Sequence, residues 1–285
     1  MNPSEPTKLG QASEPGEYDE DMQALLQIIW GDGYLSPGGS AEVACLLEGS
    51  DIAGSSLLDI GCGLGAIDVL LVKNYHAASV VGIDVDPLLV ARMQARIERA
   101  RLGDRVQGLT VAGGPLPFAD CSFDVIFSKD SLVQIPDKTA IFAEVLRVLK
   151  PSGRFIASDW LRGGSAGYSA EMLEFFRLEG IAYNMATLAE SAEMLRAAGF
   201  KRVELRDRHA WYLDLAQREL QAMEGHLNPT IVHRIGPQRA RHFIDNWRQL
   251  VVVLKRGELR PGHLKAVKPP TNPQEKASRA PASSP

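Results

Sequence analysis

Apolar residues recur along the chain in two alternating patterns: short runs typical of buried strands, and longer amphipathic runs typical of helices. The short runs cover residues 56–60, 79–85, 106–112, 123–130 and 153–160. The helical runs between them cover residues 66–75, 87–102 and 138–150. Strands separated by helices of this length predict a doubly wound, Rossmann-like α/β fold, with a mostly parallel sheet of about seven strands covered on both faces.

The second half of the chain is richer in helical patterns. Its predicted elements are helices over residues 168–197 and 214–256, a late strand region over 200–215 and a last edge strand over 262–269. Both chain ends are rich in Pro, Ser and charge, so residues 1–16 and 268–285 are predicted to be disordered tails. A single domain is therefore expected over residues 17–267.

Composition narrows the class of protein. Charged residues make up 23% of the chain, and a net charge of −4 gives no general attraction to nucleic acid or to an anionic membrane. Three cysteines without a CxxC pattern indicate a reducing compartment and no structural metal. The polar, acidic N-terminus does not resemble a signal peptide, and no apolar run reaches the roughly 18 residues that suggest a membrane span. We therefore expect a cytoplasmic protein that binds neither nucleic acid nor membrane.

A glycine cluster supplies the first candidate binding site. The run "DIGCGLGA" starts at Asp59, follows the first predicted strand and opens the first helix of the sheet. In a doubly wound sheet ligands bind beyond the carboxyl ends of the strands, and glycines let the backbone approach them closely. Asp84 closes the next strand, where a carboxylate can accept both ribose hydroxyls. The pattern predicts a nucleoside-containing cofactor.

Charge separates the two cofactor classes that fit this pattern. A dinucleotide brings an anionic pyrophosphate, whereas S-adenosylmethionine (SAM) brings a sulfonium and an ammonium. Asp59 precedes the glycines and Asp130 ends the fourth strand at the same sheet edge, and both carboxylates suit a cation. These residues favour SAM over an NAD-dependent oxidoreductase, for which the chain also lacks a Tyr-x-x-x-Lys motif.

Longer segments carry a family resemblance. In chain order they are "LLDIGCGLGAIDVLL", "VVGIDVDPLLV", "LPFADCSFDVIFSKDSLVQIPDK" and "AEVLRVLKPSGRFIASDW". Together they resemble the successive motifs of class I SAM-dependent methyltransferases. The segments "GEYDEDMQALLQIIWGDGYLSPGG" and "GHLKAVK" are similar to phosphoethanolamine N-methyltransferases. The resemblance implies a lid over residues 17–48, acceptor-site helices over 161–199 and 214–256, and methyl transfer from SAM to a small molecule.

The resemblance also implies which residues bind the cofactor. The Tyr-x-Ser-x-Gly-Gly run of the lid reaches the SAM carboxylate in that family, and backbone groups before "LPF" can reach the adenine. The full set of expected cofactor residues is Tyr34, Ser36, Gly38, Gly39, Asp59, Gly61, Gly63, Gly65, Asp84, Val85, Ala112, Gly113 and Asp130.

The acceptor site departs from the family. Tyr18 matches the tyrosine of the family's Tyr–His pair, but Gln134 stands in the place of the histidine and cannot titrate. Ile181 occupies the position of a phosphate-binding arginine, and Arg177 and Arg248 are the candidate substitutes for it. The expected catalytic residues are Tyr18 and Gln134, and the expected substrate-binding residues are Trp160, Arg177, Tyr183, Trp211 and Tyr212.

Three functions remain open at this point. The first is methyl transfer to nitrogen of a small acceptor other than phosphoethanolamine, whose cationic product aromatic faces can hold. The second is methyl transfer to sulfur of a small thioether or thiol such as an amino acid, because a sulfur nucleophile of the thioether type needs no deprotonation. The third is SAM binding without catalysis. No metal is expected in any of them.

Overall fold

The computed structural model describes residues 18–181 and 183–270. The predicted tail over 1–16 and the part of the second tail from residue 271 onward lie outside the described residues. The strands are β1 Ser56–Ile60, β2 Ser79–Asp84, β3 Val106–Thr110, β4 Phe123–Lys129, β5 Leu149–Asp159, β6 Lys201–Asp207 and β7 Gly262–Val267. The α-helices are α1 Glu20–Trp30, α2 Gly39–Leu47, α3 Ala66–Lys73, α4 Pro87–Ala100, α5 Lys138–Val148, α6 Ala170–Glu179, α7 Leu188–Ala198, α8 His209–Glu224, α9 Asn228–Ile235 and α10 Pro237–Lys255.

The described strands form one sheet in the order β3-β2-β1-β4-β5-β7-β6. The first five of these are parallel, with Leu58 of β1 paired to Val81 of β2 on one side and to Ile126 of β4 on the other. β7 runs antiparallel to both β5 and β6. The prediction of a doubly wound, mostly parallel sheet of seven strands is confirmed. Strand order reverses between β1 and β4, which opens a crevice beyond their carboxyl ends.

Two boundaries in the second half differ from the prediction. The strand region expected over 200–215 ends at Asp207, whose carboxylate accepts the backbone N–H of His209 at 2.8 Å and starts α8. Buried positions 212, 216, 219 and 223 then follow a helical period, which the strand interpretation overlooked. The strand expected at the edge, β7, lies inside the sheet, and the largely exposed β6 forms the edge beside it.

A cluster of buried side chains lies apart from the sheet, between α1 and the helices of the second half of the chain. It joins Leu25 of α1, Phe175 of α6, Tyr212 of α8 and Trp247 of α10. Residues of these helices line one cavity together with Asp130 and Trp160, which follow β4 and β5. Among the described residues, no helix is long and apolar enough to cross a membrane.

Candidate active site

The glycine loop after β1 has the backbone that its sequence requires. Gly61, Gly63 and Gly65 have φ values of 80°, 53° and 76°, in the left-handed region that favours glycine. A Cβ at Gly61 would clash with the side chain of Ser131, and one at Gly65 would come within 3.2 Å of the Cβ of Met93. The loop therefore lies tightly between Ser131 and α4, with no room for a side chain at Gly61 or Gly65.

Asp84 ends β2 beside this loop. Its carboxylate accepts the backbone N–H of Gly63 and that of Asp86, both at 3.0 Å. Burial raises the pKa of Asp84, and these two backbone donors oppose that rise. A carboxylate offers about four lone-pair sites, so acceptor capacity remains for two ribose hydroxyls.

A cleft of about 960 Å³ opens over the loop and Asp84. Its lining includes most of the expected cofactor residues, namely Tyr34, Ser36, Gly61, Gly63, Asp84, Val85, Ala112, Gly113 and Asp130. A glycine-lined floor, the Asp84 carboxylate and an apolar wall from Leu89, Val111 and Leu116 fit an adenosyl group.

Four expected cofactor residues do not line the cleft. Gly65 lies against α4, as described above. Gly38 caps α2, and a Cβ on it would come within 2.7 Å of the Trp211 ring. Gly39 follows it, and a Cβ there would come within 3.0 Å of the carbonyl oxygen of Trp30. In this structure the glycine pair turns the chain beneath a tryptophan instead of facing the cleft.

Asp59 is the fourth expected cofactor residue that does not line the cleft. It lies beneath the glycine loop beside Asp68 of α3. Both carboxyls are buried, and three of their four oxygens have no hydrogen-bond partner among the described residues. Burial is the main cause that raises the pKa of Asp68 to about 7, and burial together with the Asp68 charge raises the pKa of Asp59 well above its usual range. A carboxyl pair that retains a proton near neutral pH gives a cofactor less negative charge than the sequence argument assumed.

Asp130 follows β4 with a φ of 60°, a strained conformation for a residue other than glycine. Ser158 Oγ donates to its Oδ1 at 2.6 Å, and Lys129 Nζ donates to its Oδ2 at 2.7 Å. The buried Lys129 also donates to the carbonyl oxygen of Pro37 at 3.0 Å. One lysine therefore links the N-terminal segment to the carboxylate at the end of β4.

A second, smaller cavity of about 40 Å³ lies between the N-terminal segment and the helices of the second half. Its lining residues are Tyr18, Leu26, Trp30, Leu35, Asp130, Val133, Gln134, Trp160, Phe175, Glu179, Ile181, Tyr183, Tyr212, Trp247 and Leu250. Four of them, Tyr18, Leu35, Asp130 and Gln134, also line the larger cleft. The two cavities therefore meet at these side chains, and we call the smaller one the acceptor cavity.

Aromatic rings and carboxyls dominate the acceptor cavity. The Trp160 and Tyr212 rings meet edge to face with centroids 5.2 Å apart, and Tyr183 stacks on Phe176 at 5.1 Å. Among the described residues that line it there is no Lys, Arg or His, whereas Asp130 and Glu179 both contribute carboxyls. Such a lining suits a cation and opposes a phosphate.

The structure separates the expected substrate-binding residues into two groups. Trp160, Tyr183 and Tyr212 line the acceptor cavity. The Arg177 side chain is 65% exposed, is paired with Glu174 at 2.6 Å and does not reach the cavity. Trp211 does not line it either, because its ring lies over Gly38 and receives the Arg208 guanidinium 4.4 Å from its centroid. The alternative cation, Arg248, pairs with Glu224 and Asp245 on the surface.

A carboxylate behind the cavity wall is not among the residues expected from the sequence. Glu219 is 7% exposed and accepts hydrogen bonds from Trp30 Nε1 at 2.6 Å and from Trp247 Nε1 at 3.2 Å. Burial raises the pKa of Glu219 to about 7, against the opposing effect of these two donors. Its position on the apolar face of α8 was a signal, because a lone carboxylate on a buried helix face needs a specific partner.

Comparisons with known proteins place this geometry in a family. A family described as methyltransferase domain matches residues 58–157. The methyltransferase GfsG of Streptomyces halstedii is 31% identical over 211 residues, which cover 68% of this chain and 75% of that protein. The chain belongs to the class I SAM-dependent methyltransferases, and the cofactor of this family is SAM, as predicted from the residues of the glycine loop.

Other relatives match a similar share of the chain. Phosphoethanolamine N-methyltransferase 1 of Arabidopsis thaliana is 32% identical over 198 residues, which cover 69% of this chain but 39% of that protein. The chain thus spans about two fifths of the length of this plant relative. A solved structure of Haemonchus contortus phosphoethanolamine N-methyltransferase 2, with phosphomonomethylethanolamine and S-adenosylhomocysteine, matches with a TM-score of 0.81 at 22% identity. That match covers 88% of this chain and 59% of the other, and it shows the shared fold.

Proposed function

We propose that the protein transfers the methyl group of SAM to the nitrogen of a small acceptor that carries no phosphate. The observation that carries this proposal is the junction of the two cavities at Tyr18, Leu35, Asp130 and Gln134. A cofactor in the cleft and an acceptor in the smaller cavity would meet there.

The chemistry needs little from the protein besides orientation and exclusion of water. The nitrogen lone pair forms the new N–C bond while the S–C bond breaks. The electron pair of the broken bond stays on sulfur, and the cofactor leaves as S-adenosylhomocysteine. Tyr18 and Gln134 are placed to orient the nitrogen. Because Gln134 cannot take up a proton, the acceptor nitrogen must arrive neutral. A tertiary amine suits such a site because its quaternary product has no proton to release.

Two observations support nitrogen as the attacked atom and argue against a phosphorylated acceptor. Several matching relatives are phosphoethanolamine N-methyltransferases, which supports an amine. The described lining of the acceptor cavity offers aromatic rings and carboxyls but no cationic side chain for a phosphate.

Methyl transfer to sulfur is the second candidate, favoured by the same Gln134. A thioether attacks without losing a proton, and its sulfonium product would suit the aromatic and acidic lining equally well. SAM binding without methyl transfer is the third candidate, and it predicts no S-adenosylhomocysteine above background with any acceptor.

A panel assay separates these candidates. The purified protein is incubated with SAM and with tertiary amines, thioethers and phosphorylated amines of similar size, and S-adenosylhomocysteine is quantified. Turnover with the tertiary amines is expected, with little from the phosphorylated ones. Asp130→Asn should reduce turnover, and Arg177→Ala, on the exposed face of α6, should not. Turnover confined to phosphorylated amines would contradict the proposal.

A further inference from the structure

The hydroxyl of Tyr212 is a buried polar group without a partner. Tyr212 lies on α8, is 1% exposed and lines the acceptor cavity. Its Oη has no hydrogen-bond partner among the described residues. Buried hydroxyls are nearly always hydrogen bonded, so an unpartnered one on a cavity wall points to a ligand atom.

The charges around this hydroxyl define what kind of ligand atom it meets. Burial, followed by the charges of Glu219, Asp130 and Glu179, raises the pKa of Tyr212 well above its usual range. The hydroxyl therefore stays protonated and can donate. The described lining of the acceptor cavity has no cationic side chain to hold a ligand carboxylate or phosphate, and Asp130 and Glu179 contribute carboxyls to it, whereas an uncharged oxygen needs no cationic partner.

The remaining walls suit the nitrogen end of the ligand. Trp160 lies edge to face with Tyr212, and its ring centroid is 6.5 Å from that of Tyr183. Aromatic faces and nearby carboxyls together attract an ammonium with methyl substituents. The cavity volume is about 40 Å³, so the ligand is short.

We infer that Tyr212 selects the acceptor, and that the acceptor is a short amine bearing an uncharged hydrogen-bonding group, a hydroxyl above all. Its oxygen pairs with Tyr212 Oη while its nitrogen lies toward the junction with the cofactor cleft. This inference rests on the proposed function, because it names the acceptor of the same site.

An isosteric pair of amines tests the inference. 2-(Dimethylamino)ethanol and N,N-dimethylpropylamine differ only in a hydroxyl that replaces a methyl group. The wild-type protein should show a kcat/KM about tenfold or more higher for the amino alcohol. Tyr212→Phe should abolish this preference by lowering the amino alcohol value and leaving the propylamine value unchanged. Tyr75→Phe, half-buried beyond the end of α3, is the matched control and should keep the preference.

A binding measurement keeps the inference separate from the proposed function. Choline and propyltrimethylammonium are titrated calorimetrically into the protein saturated with S-adenosylhomocysteine, which requires no turnover. Tighter binding of choline that is lost in a folded Tyr212→Phe protein supports the inference even if no amine is methylated, a result that would overturn the proposed function alone. Methylation of both amines with equal kcat/KM, or equal binding of the two cations, overturns the inference and leaves methyl transfer standing.

Discussion

Glu219 of α8 accepts the indole N–H of Trp30 at 2.6 Å, across 189 positions of sequence. Trp30 ends the first helix of the N-terminal segment, so this hydrogen bond ties that segment to the helices of the second half. The second indole on Glu219, from Trp247, comes from α10. A single carboxylate thus fixes the positions of two tryptophans that line the acceptor cavity.

Replacing Glu219 with Gln should loosen this arrangement, because the amide nitrogen cannot accept an indole N–H. We expect the acceptor KM to rise about tenfold with a smaller effect on kcat, together with a shift of tryptophan fluorescence. Glu224→Gln, on the same helix but exposed, is the control. Equal KM values for the two variants would show that Glu219 does not position the cavity wall.

The second prediction concerns Asp84 and the affinity for the cofactor product. Asp84→Ala removes the acceptor for ribose hydroxyls and for the N–H of Gly63, so affinity for S-adenosylhomocysteine should fall tenfold or more, about 1.4 kcal/mol. Calorimetric titration measures this loss, with the exposed Asp104→Ala as control. Unchanged affinity in Asp84→Ala would show that the ribose binds elsewhere in the cleft.

The contact between Lys129 and Pro37 predicts how the cofactor is retained. Lys129→Met keeps the length of the side chain but loses its donors to Pro37 and Asp130. The dissociation rate of S-adenosylhomocysteine should rise about tenfold, and residues 18–48 should become easier to cleave by protease. Lys73→Met, at the exposed end of α3, serves as the reference. A dissociation rate equal to that of the reference would argue against this link as a closure device.

The buried pair beneath the glycine loop predicts a dependence of stability on pH. The pKa of Asp68 is raised from 3.8 to about 7, so between these values the folded protein holds a proton that the unfolded chain has released. Stability from this group is therefore greatest below this window, falls as pH rises through it and is lost above it.

Asp68→Asn removes this penalty. The free energy of unfolding of Asp68→Asn above pH 7 should exceed that of the wild type by about 1–3 kcal/mol, and its decline between about pH 4 and 7 should be shallower. Denaturant unfolding at several pH values measures both. Asp104→Asn, which is exposed, should follow the wild-type curve, and parallel curves for Asp68→Asn and wild type would show that the pair carries no such penalty.

The sheet and the cofactor cleft were predictable because they depend on local patterns. The glycine loop and Asp84 follow their strands directly, and the crevice beyond β1 and β4 follows from the strand order. The acceptor cavity was only partly predictable, since Trp30, Glu219 and Trp247 meet through packing of three helices that no local spacing encodes. The helical period of α6 contained a further missed signal: Phe175 and Phe176 face inward, which leaves Arg177 on the exposed side.

The most direct test of the account is transfer of a labelled methyl group at the junction of the two cavities. The protein is incubated with SAM carrying a trideuterated methyl group and an equal mixture of 2-(dimethylamino)ethanol, its phosphorylated ester and a thioether of the same length, and the products are identified by mass spectrometry. We expect the label on the nitrogen of the unphosphorylated amine. Label on the phosphorylated amine alone, on sulfur alone or on none of the three would contradict it.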